Sequence, residues 1–115
     1  IGIKKAAELF TYLKNQGKTP IVIDSDQLLK NPEVYLQKIC KILDIPFTKG
    51  MLSWQKGGIQ EDGIWAQYWY GNVHNSTGFT VQKTSNQEMS DSLQIVLDQA
   101  LIHYTILKNH ILKND

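Results

Sequence analysis

With 115 residues, the chain is long enough for one domain and no more. A net charge of +1 without any basic run argues against a nucleic-acid surface, and no stretch is long and apolar enough to span a bilayer. All twelve basic residues are lysines, so a guanidinium clamp on a phosphate would have to come from outside this sequence. The single cysteine, Cys40, excludes an internal disulfide and fits a reducing compartment, which predicts a cytoplasmic protein.

The first predicted elements are a helix and a strand. Apolar residues at helical spacing predict a helix over residues 3–16, and Gly17 is a typical stop. The short, β-branched run Ile21–Asp24 predicts a buried parallel strand, so the predicted fold class is α/β. No second strand pattern follows. We therefore expect this strand to pair with a missing N-terminal portion, with another chain or with a second copy. The start at Ile1, within a helical pattern, likewise predicts a fragment.

Two helices are predicted after this strand. Residues 24–26 follow the predicted strand at its carboxyl end, where such residues often line a site. The preferred interpretation is that Ser25 or Asp24 caps a short turn over residues 26–30. The run Asn31–Glu33 is a strong helix start, with proline at the first helical position, and the helix is predicted to reach Leu43. Cys40 lies on the apolar face of this helix, which predicts a buried side chain and not a nucleophile.

Two further helices are predicted in the second half of the chain. Asp62 is expected to cap a helix over residues 63–73, with His74 at its C-terminal end. Ser90 is expected to cap the last helix, which extends to about residue 113. Its apolar stripe is wide, which predicts burial on more than one side.

Residues 50–79 contain all three tryptophans and most of the glycines of the chain. One interpretation is an aromatic mini-core that pins an irregular segment to a helical body. The other is a functional loop in which the turn Lys56–Gly58 faces an anionic ligand, because consecutive glycines can present backbone N–H groups while the lysine supplies charge. Both interpretations remain open from the residues alone.

Short motifs follow one another in a specific order from residue 21 to residue 79. They are Ile21–Asp24; Asp26, Leu28 and Leu29; Asn31–Glu33; Leu36 and Cys40; Leu43–Phe47; Met51–Trp54; Lys56–Gly57; Asp62–Gly63; Trp65–Ala66; Tyr68–Tyr70; and Ser76–Phe79. In order and spacing they resemble the C-terminal half of the P-loop sulfotransferase superfamily, and especially its sulfotransferase-like members labelled as aminotransferase-like.

This resemblance implies the mostly helical C-terminal portion of a single sulfotransferase-like domain over residues 1–115, with one core strand at Ile21–Asp24 and without the phosphate-loop half. The complete protein is expected to transfer a sulfuryl group from 3′-phosphoadenosine 5′-phosphosulfate to a small-molecule acceptor. The isolated chain is not expected to be an enzyme, because the phosphate loop and the catalytic base of the family lie in the other half. The expected partners are that missing half or a second copy, and the acceptor, with no nucleic acid, membrane or metal.

The resemblance also implies site residues. The family has an Arg-Lys-Gly turn that contacts the 3′-phosphate, and it maps onto residues 55–57, where Gln55 replaces the arginine. The implied nucleotide-binding residues are Lys56, Gly57 and Gly58. The side chains expected to wall the acceptor pocket, or to hold the loop, are Trp54, Trp65 and Tyr68. No catalytic residue is expected in this chain.

An interpretation of a different class is a non-enzymatic interaction module. The unpaired strand at residues 21–24 would then join a partner, or a second copy of the chain, by strand addition.

Overall fold

The computed structural model describes residues 2–114, and helical residues make up 58% of it. The α-helices of this part are α1 (Ile3–Asn15), α2 (Ser25–Lys30), α3 (Pro32–Leu43), α4 (Ala66–Trp69), α5 (Gly71–Asn75) and α6 (Asp91–Lys108). Two short 3₁₀ turns cover Lys49–Leu52 and Gln60–Asp62. Within the described residues, no helix is both long enough and apolar enough to cross a membrane.

The predicted α/β fold class, with a core strand at Ile21–Asp24, is wrong for residues 2–114. Val22 forms a single isolated parallel bridge with Ile111, and the backbone N–H of Leu112 donates to the Val22 carbonyl at 2.9 Å. No sheet forms in this part of the chain. A ladder needs several consecutive pairs on a facing strand, and the short segment after α6 supplies only one bridge.

The chain divides into two compact units, which we call the terminal unit (residues 1–27 and 83–115) and the central unit (residues 28–82). In the terminal unit, α1 packs against α6 and buries Ala7 and Phe10. The Phe10 ring lies 4.7 Å from the ring of His110, centroid to centroid. The predicted first helix is therefore confirmed, with its burial on the expected apolar face.

Helix α6 differs from the prediction in length and in burial. It ends at Lys108 and not near residue 113, because the chain turns there to bring Ile111 beside Val22. None of its residues is buried, so the expected burial on several sides is wrong. Apolar residues lie around much of the helix, whereas α1, which packs against it in the terminal unit, can cover only one face.

The predicted starts of α2 and α3 are confirmed. The Asp24 carboxylate accepts the Gln27 backbone N–H at 3.0 Å, so the predicted polar cap holds the first turn of α2. Pro32 occupies the first turn of α3, although the Asn31 side chain makes no capping hydrogen bond. The helix ends at Leu43, as predicted, because Asp44 follows it with a left-handed φ of 54°.

The core of the central unit forms around α3. Tyr35 and Cys40 are buried there, which confirms the prediction for the cysteine. The Cys40 Sγ lies 3.9 Å from the Sδ of Met51, in the first 3₁₀ turn. This contact joins the helix to the irregular segment that follows it.

The predicted helix over residues 63–73 is wrong, because the segment forms two shorter helices, α4 and α5. They are separated at Tyr70, whose φ of −103° and ψ of 17° depart from helical values. Gly71 follows directly, and glycine is a poor helix former. His74 nevertheless lies in the last turn of α5, as predicted for a helix C-terminus.

Candidate functional site

The turn Lys56–Gly58 is tied to the end of α5 through its backbone. The Gly57 N–H donates to the carbonyl of His74 at 2.8 Å. Gly57 has a φ of +117°, a conformation that residues with a β-carbon rarely adopt. The backbone conformation at position 57 therefore favours glycine, which is the residue that the sequence has there.

Gly58 packs directly against a side chain from α5. A β-carbon at this position would lie 2.7 Å from Cε1 and 2.8 Å from Nε2 of His74, and 3.2 Å from Oδ2 of Asp62. Such distances are shorter than van der Waals contact permits. Glycine is needed at position 58 because the imidazole occupies the space that any larger residue would use.

Asp62 and His74 form a side-chain pair beside this turn. The His74 Nε2 lies 2.9 Å from the Asp62 Oδ2, and each side chain is about one-quarter exposed. The same carboxylate oxygen accepts the Ile59 backbone N–H at 3.0 Å. The Ile59 hydrogen bond, followed by the one to His74, lowers the pKa of Asp62 below its usual value. Tyr70 adds an edge-on ring contact to His74, with centroids 5.9 Å apart.

Sequence reasoning did not find the Asp62–His74 pair. The two residues are twelve positions apart, which is neither a helical nor a strand spacing, and Asp62 was expected to cap the following helix. The one local signal is the position of Asp62 three residues after Ile59, where an aspartate can accept a backbone N–H. Only the fold of the loop brings the histidine to it.

The donors left open in this turn differ from those expected. The Gly57 N–H bonds to His74 and the Ile59 N–H bonds to Asp62, so both are engaged within the chain. Across residues 2–114, the Gly58 N–H and the Lys56 ammonium have no such partner. An incoming anion can therefore meet the Gly58 N–H and the Lys56 ammonium, and both residues are exposed.

Trp54 holds the loop in place. Its indole N–H donates to the Ser76 Oγ at 2.9 Å, and its backbone N–H donates to the Thr77 carbonyl at 3.0 Å. Its ring meets Phe79 edge-on with centroids 5.3 Å apart. These contacts pin the loop as the mini-core interpretation expects, but Trp54 is not buried, since it is 38% exposed.

Trp65 and Tyr68 are placed differently. Their rings contact each other, with centroids 6.3 Å apart at 54°, but the residues are 69% and 71% exposed. Trp65 directly precedes α4 and Tyr68 lies within it, close in sequence to the buried Ala66. Within the described residues, no ring contact joins them to Trp54. The structure thus brings together two of the three expected acceptor-site aromatics, on an open surface.

The part of the chain described by the structure contains no cluster of three or more histidine, cysteine, aspartate or glutamate side chains that could hold a metal ion. Among residues 2–114, the Asp62–His74 pair therefore has no third ligand of this kind.

In a comparison with protein families, the family described as "Sulfotransferase domain" matches residues 3–111 of this chain. The chain belongs to the sulfotransferase domain family. This confirms the family expected from the motifs between residues 21 and 79. Two similar proteins from Arabidopsis thaliana are branched-chain-amino-acid aminotransferase-like proteins 1 and 2, which are 39% and 37% identical to this chain over 111 residues.

These alignments cover 96% of this chain and 20% of each relative. The chain therefore spans about one-fifth of the length of the curated relatives that it matches. No solved structure matches the chain significantly.

Proposed function

We propose that this sulfotransferase-like chain is the C-terminal part of a domain that transfers a sulfuryl group from 3′-phosphoadenosine 5′-phosphosulfate to a small-molecule acceptor. The family match over residues 3–111 supports the sulfotransferase-like part of this proposal. The resemblance of residues 21–79 to the later half of the superfamily supports its position in the domain. The phosphate loop and the catalytic base would be supplied by the other half.

The observation that carries the nucleotide role is the pair of open donors at Lys56 and Gly58. Both are exposed, and neither has a partner among residues 2–114. A backbone N–H beside an ammonium suits a phosphate, which accepts hydrogen bonds and carries negative charge. Gly57 contributes the conformation of the turn, since its own N–H is engaged by His74.

The replacement of the family arginine by Gln55 limits the strength of this contact. An ammonium makes point-charge contacts, whereas a guanidinium binds a phosphate through two parallel hydrogen bonds. We therefore propose that the turn neutralises and orients a nucleotide phosphate, and that the other half of the domain supplies most of the affinity.

For the acceptor, we propose a role for the exposed rings of Trp65 and Tyr68. They present flat apolar surface of the kind that lines small-molecule sites. Trp54 would act indirectly, because its hydrogen bonds to Ser76 and Thr77 hold the loop.

A thermal melt with and without adenosine 3′,5′-bisphosphate tests the nucleotide contact. At a ligand concentration one hundred times Kd, binding to the folded state alone adds about 2.7 kcal/mol to its stability. We expect a higher Tm with the nucleotide and a much smaller shift in Lys56→Ala. Lys49→Ala, which removes an exposed lysine from the first 3₁₀ turn, is the matched control. Equal shifts in all three proteins would contradict the role of Lys56.

The interaction-module alternative receives no specific support. It requires an apolar strand without a partner inside the chain. Val22 already bridges to Ile111, and its carbonyl accepts the Leu112 N–H.

A further inference from the structure

We propose that Asp62 and His74 are positioning residues for the turn Lys56–Gly58, and that they hold the Gly58 N–H ready for a phosphate oxygen. This inference rests on the proposed nucleotide role of the turn. It assigns the Asp62–His74 pair a task that the motifs do not indicate.

Three consecutive backbone positions are held by this one pair. The Gly57 N–H donates to the His74 carbonyl at 2.8 Å. The Gly58 backbone lies against the His74 ring so closely that no β-carbon would fit. The Ile59 N–H donates to the Asp62 Oδ2 at 3.0 Å.

The contact between the two side chains completes the arrangement. The 2.9 Å hydrogen bond from His74 to Asp62 holds the ring against Gly58, and Tyr70 contacts the same ring edge-on. A shift of the imidazole would therefore disturb the whole segment from residue 57 to residue 59.

Of the three amides at residues 57–59, this arrangement leaves the middle one, the Gly58 N–H, open. The amides on either side are engaged, whereas the Gly58 N–H has no acceptor within residues 2–114. A donor fixed before binding loses little conformational entropy when it meets its ligand, which raises affinity. Glycine is the most flexible residue, so a Gly-Gly turn gains more from such fixation than other turns do.

The pair also reduces an electrostatic conflict. A free carboxylate beside the turn would repel a phosphate. Here the Asp62 Oδ2 is occupied by two donors, the Ile59 N–H and the His74 ring. Removal of the imidazole would expose this charge as well as loosen the turn.

The test is calorimetric titration of the complete protein, this chain together with the half that supplies the phosphate loop, with adenosine 3′,5′-bisphosphate, using His74→Ala, Asp62→Ala, the double variant and His74→Gln. We expect His74→Ala and Asp62→Ala each to weaken binding roughly tenfold, as the loss of one or two hydrogen bonds implies. The double variant should bind about as weakly as either single variant, because both residues act as one unit. Glutamine keeps an N–H donor near the position of Nε2, so His74→Gln should retain most of the affinity.

Amide hydrogen exchange of Gly57 and Ile59, followed by NMR, separates positioning from general destabilisation. We expect faster exchange of these two amides in His74→Ala than in the wild type and His74→Gln. The exchange of Cys40, inside α3, should stay unchanged. If His74→Ala does not fold, the wild type is compared with His74→Gln instead. The inference requires that these two proteins have similar Kd values and similar exchange rates at Gly57 and Ile59, and a clear difference in either quantity would contradict it.

The outcomes distinguish this inference from the proposed function. Wild-type binding that depends on Lys56 but not on His74 or Asp62 would overturn the positioning roles and leave the nucleotide role intact. No wild-type binding would overturn both. Additive losses in the double variant, or a Kd in His74→Gln as weak as in His74→Ala, would also overturn the inference.

Discussion

Gly58 shows how one residue depends on a side chain sixteen positions away. In the sequence, it is the second glycine of an ordinary Gly-Gly turn. In the structure, it is the point where the backbone touches His74. The ring cannot move aside without weakening its hydrogen bond to Asp62. The requirement for glycine therefore comes from packing at position 58 and from backbone conformation at position 57.

We expect Gly58→Ala to lower the stability of the chain by about 1–3 kcal/mol, as overpacking does elsewhere. Gly71→Ala is the matched control, because a β-carbon there would meet nothing within 4 Å and alanine favours the helix. Urea denaturation measures both variants. Addition of His74→Ala to Gly58→Ala should remove the steric clash, so the two losses should not add. Simple additivity would show that the ring is not the obstacle.

The lowered pKa of Asp62 has a consequence for pH dependence. A carboxyl group whose pKa is lowered on folding stabilises the folded state above its unfolded pKa, near 3.8. This contribution is lost as the pH falls through the folded value. We therefore expect Asp62→Asn to be less stable than the wild type at pH 6, with the difference shrinking as the pH falls below 3.8. Melts between pH 6 and pH 2.5 measure this, with Glu61→Gln as a control for the loss of one adjacent charge. A constant difference across that range would argue against the hydrogen-bonded carboxylate.

At the scale of elements, local sequence patterns predicted a helix correctly where the segment contains a start motif and an apolar face. Helix α3 has both, since Pro32 begins it as expected, and α1 has the apolar face. The segment after Asp62 lacks such consistency. Its aromatic residues suggest a helix, but Asp62 turns back to Ile59 and the chain breaks at Tyr70. Periodicity alone could not detect that break.

Helix α3 should respond strongly to a change in its buried face. Tyr35 is only 2% exposed, so Tyr35→Ala should lower the free energy of unfolding by about 3–5 kcal/mol. Val34→Ala, at the more exposed neighbouring position, should cost much less. Chemical denaturation of both variants provides the comparison. Similar losses would mean that the face of α3 is assigned wrongly.

At the scale of the whole molecule, the terminal unit leaves much of α6 exposed. An apolar groove beside Ile3 runs along this helix, and its other lining residues are Met89, Leu93, Val96, Leu97, Ala100, Leu101 and Tyr104. Ile102 lies outside this groove and adds another exposed apolar side chain to the same helix, with 66% of its surface exposed. Exposed apolar surface of this kind attracts other apolar surfaces.

We expect the isolated chain to bind a hydrophobic dye through α6. Ile102→Glu should reduce the dye fluorescence and any concentration-dependent association, while the Tm stays nearly constant because the residue packs on little. Gln99→Glu is the control for the added charge on the same helix. Unchanged dye binding in Ile102→Glu would place the apolar surface elsewhere.

The sequence by itself determined the family, the two principal helices of the first half, and the burial of Cys40. These features depend on residue spacing, helix caps and the order of motifs, all of which can be read from residues that are close together in the sequence. The tertiary structure decided the rest of the site and the fold class. It brought Asp62 to His74, engaged the Gly57 N–H, placed Trp54 against Phe79 while leaving Trp65 open, and reduced Ile21–Asp24 to a single bridge. Each of these outcomes depends on which distant segment lies opposite, and no local pattern encodes that pairing.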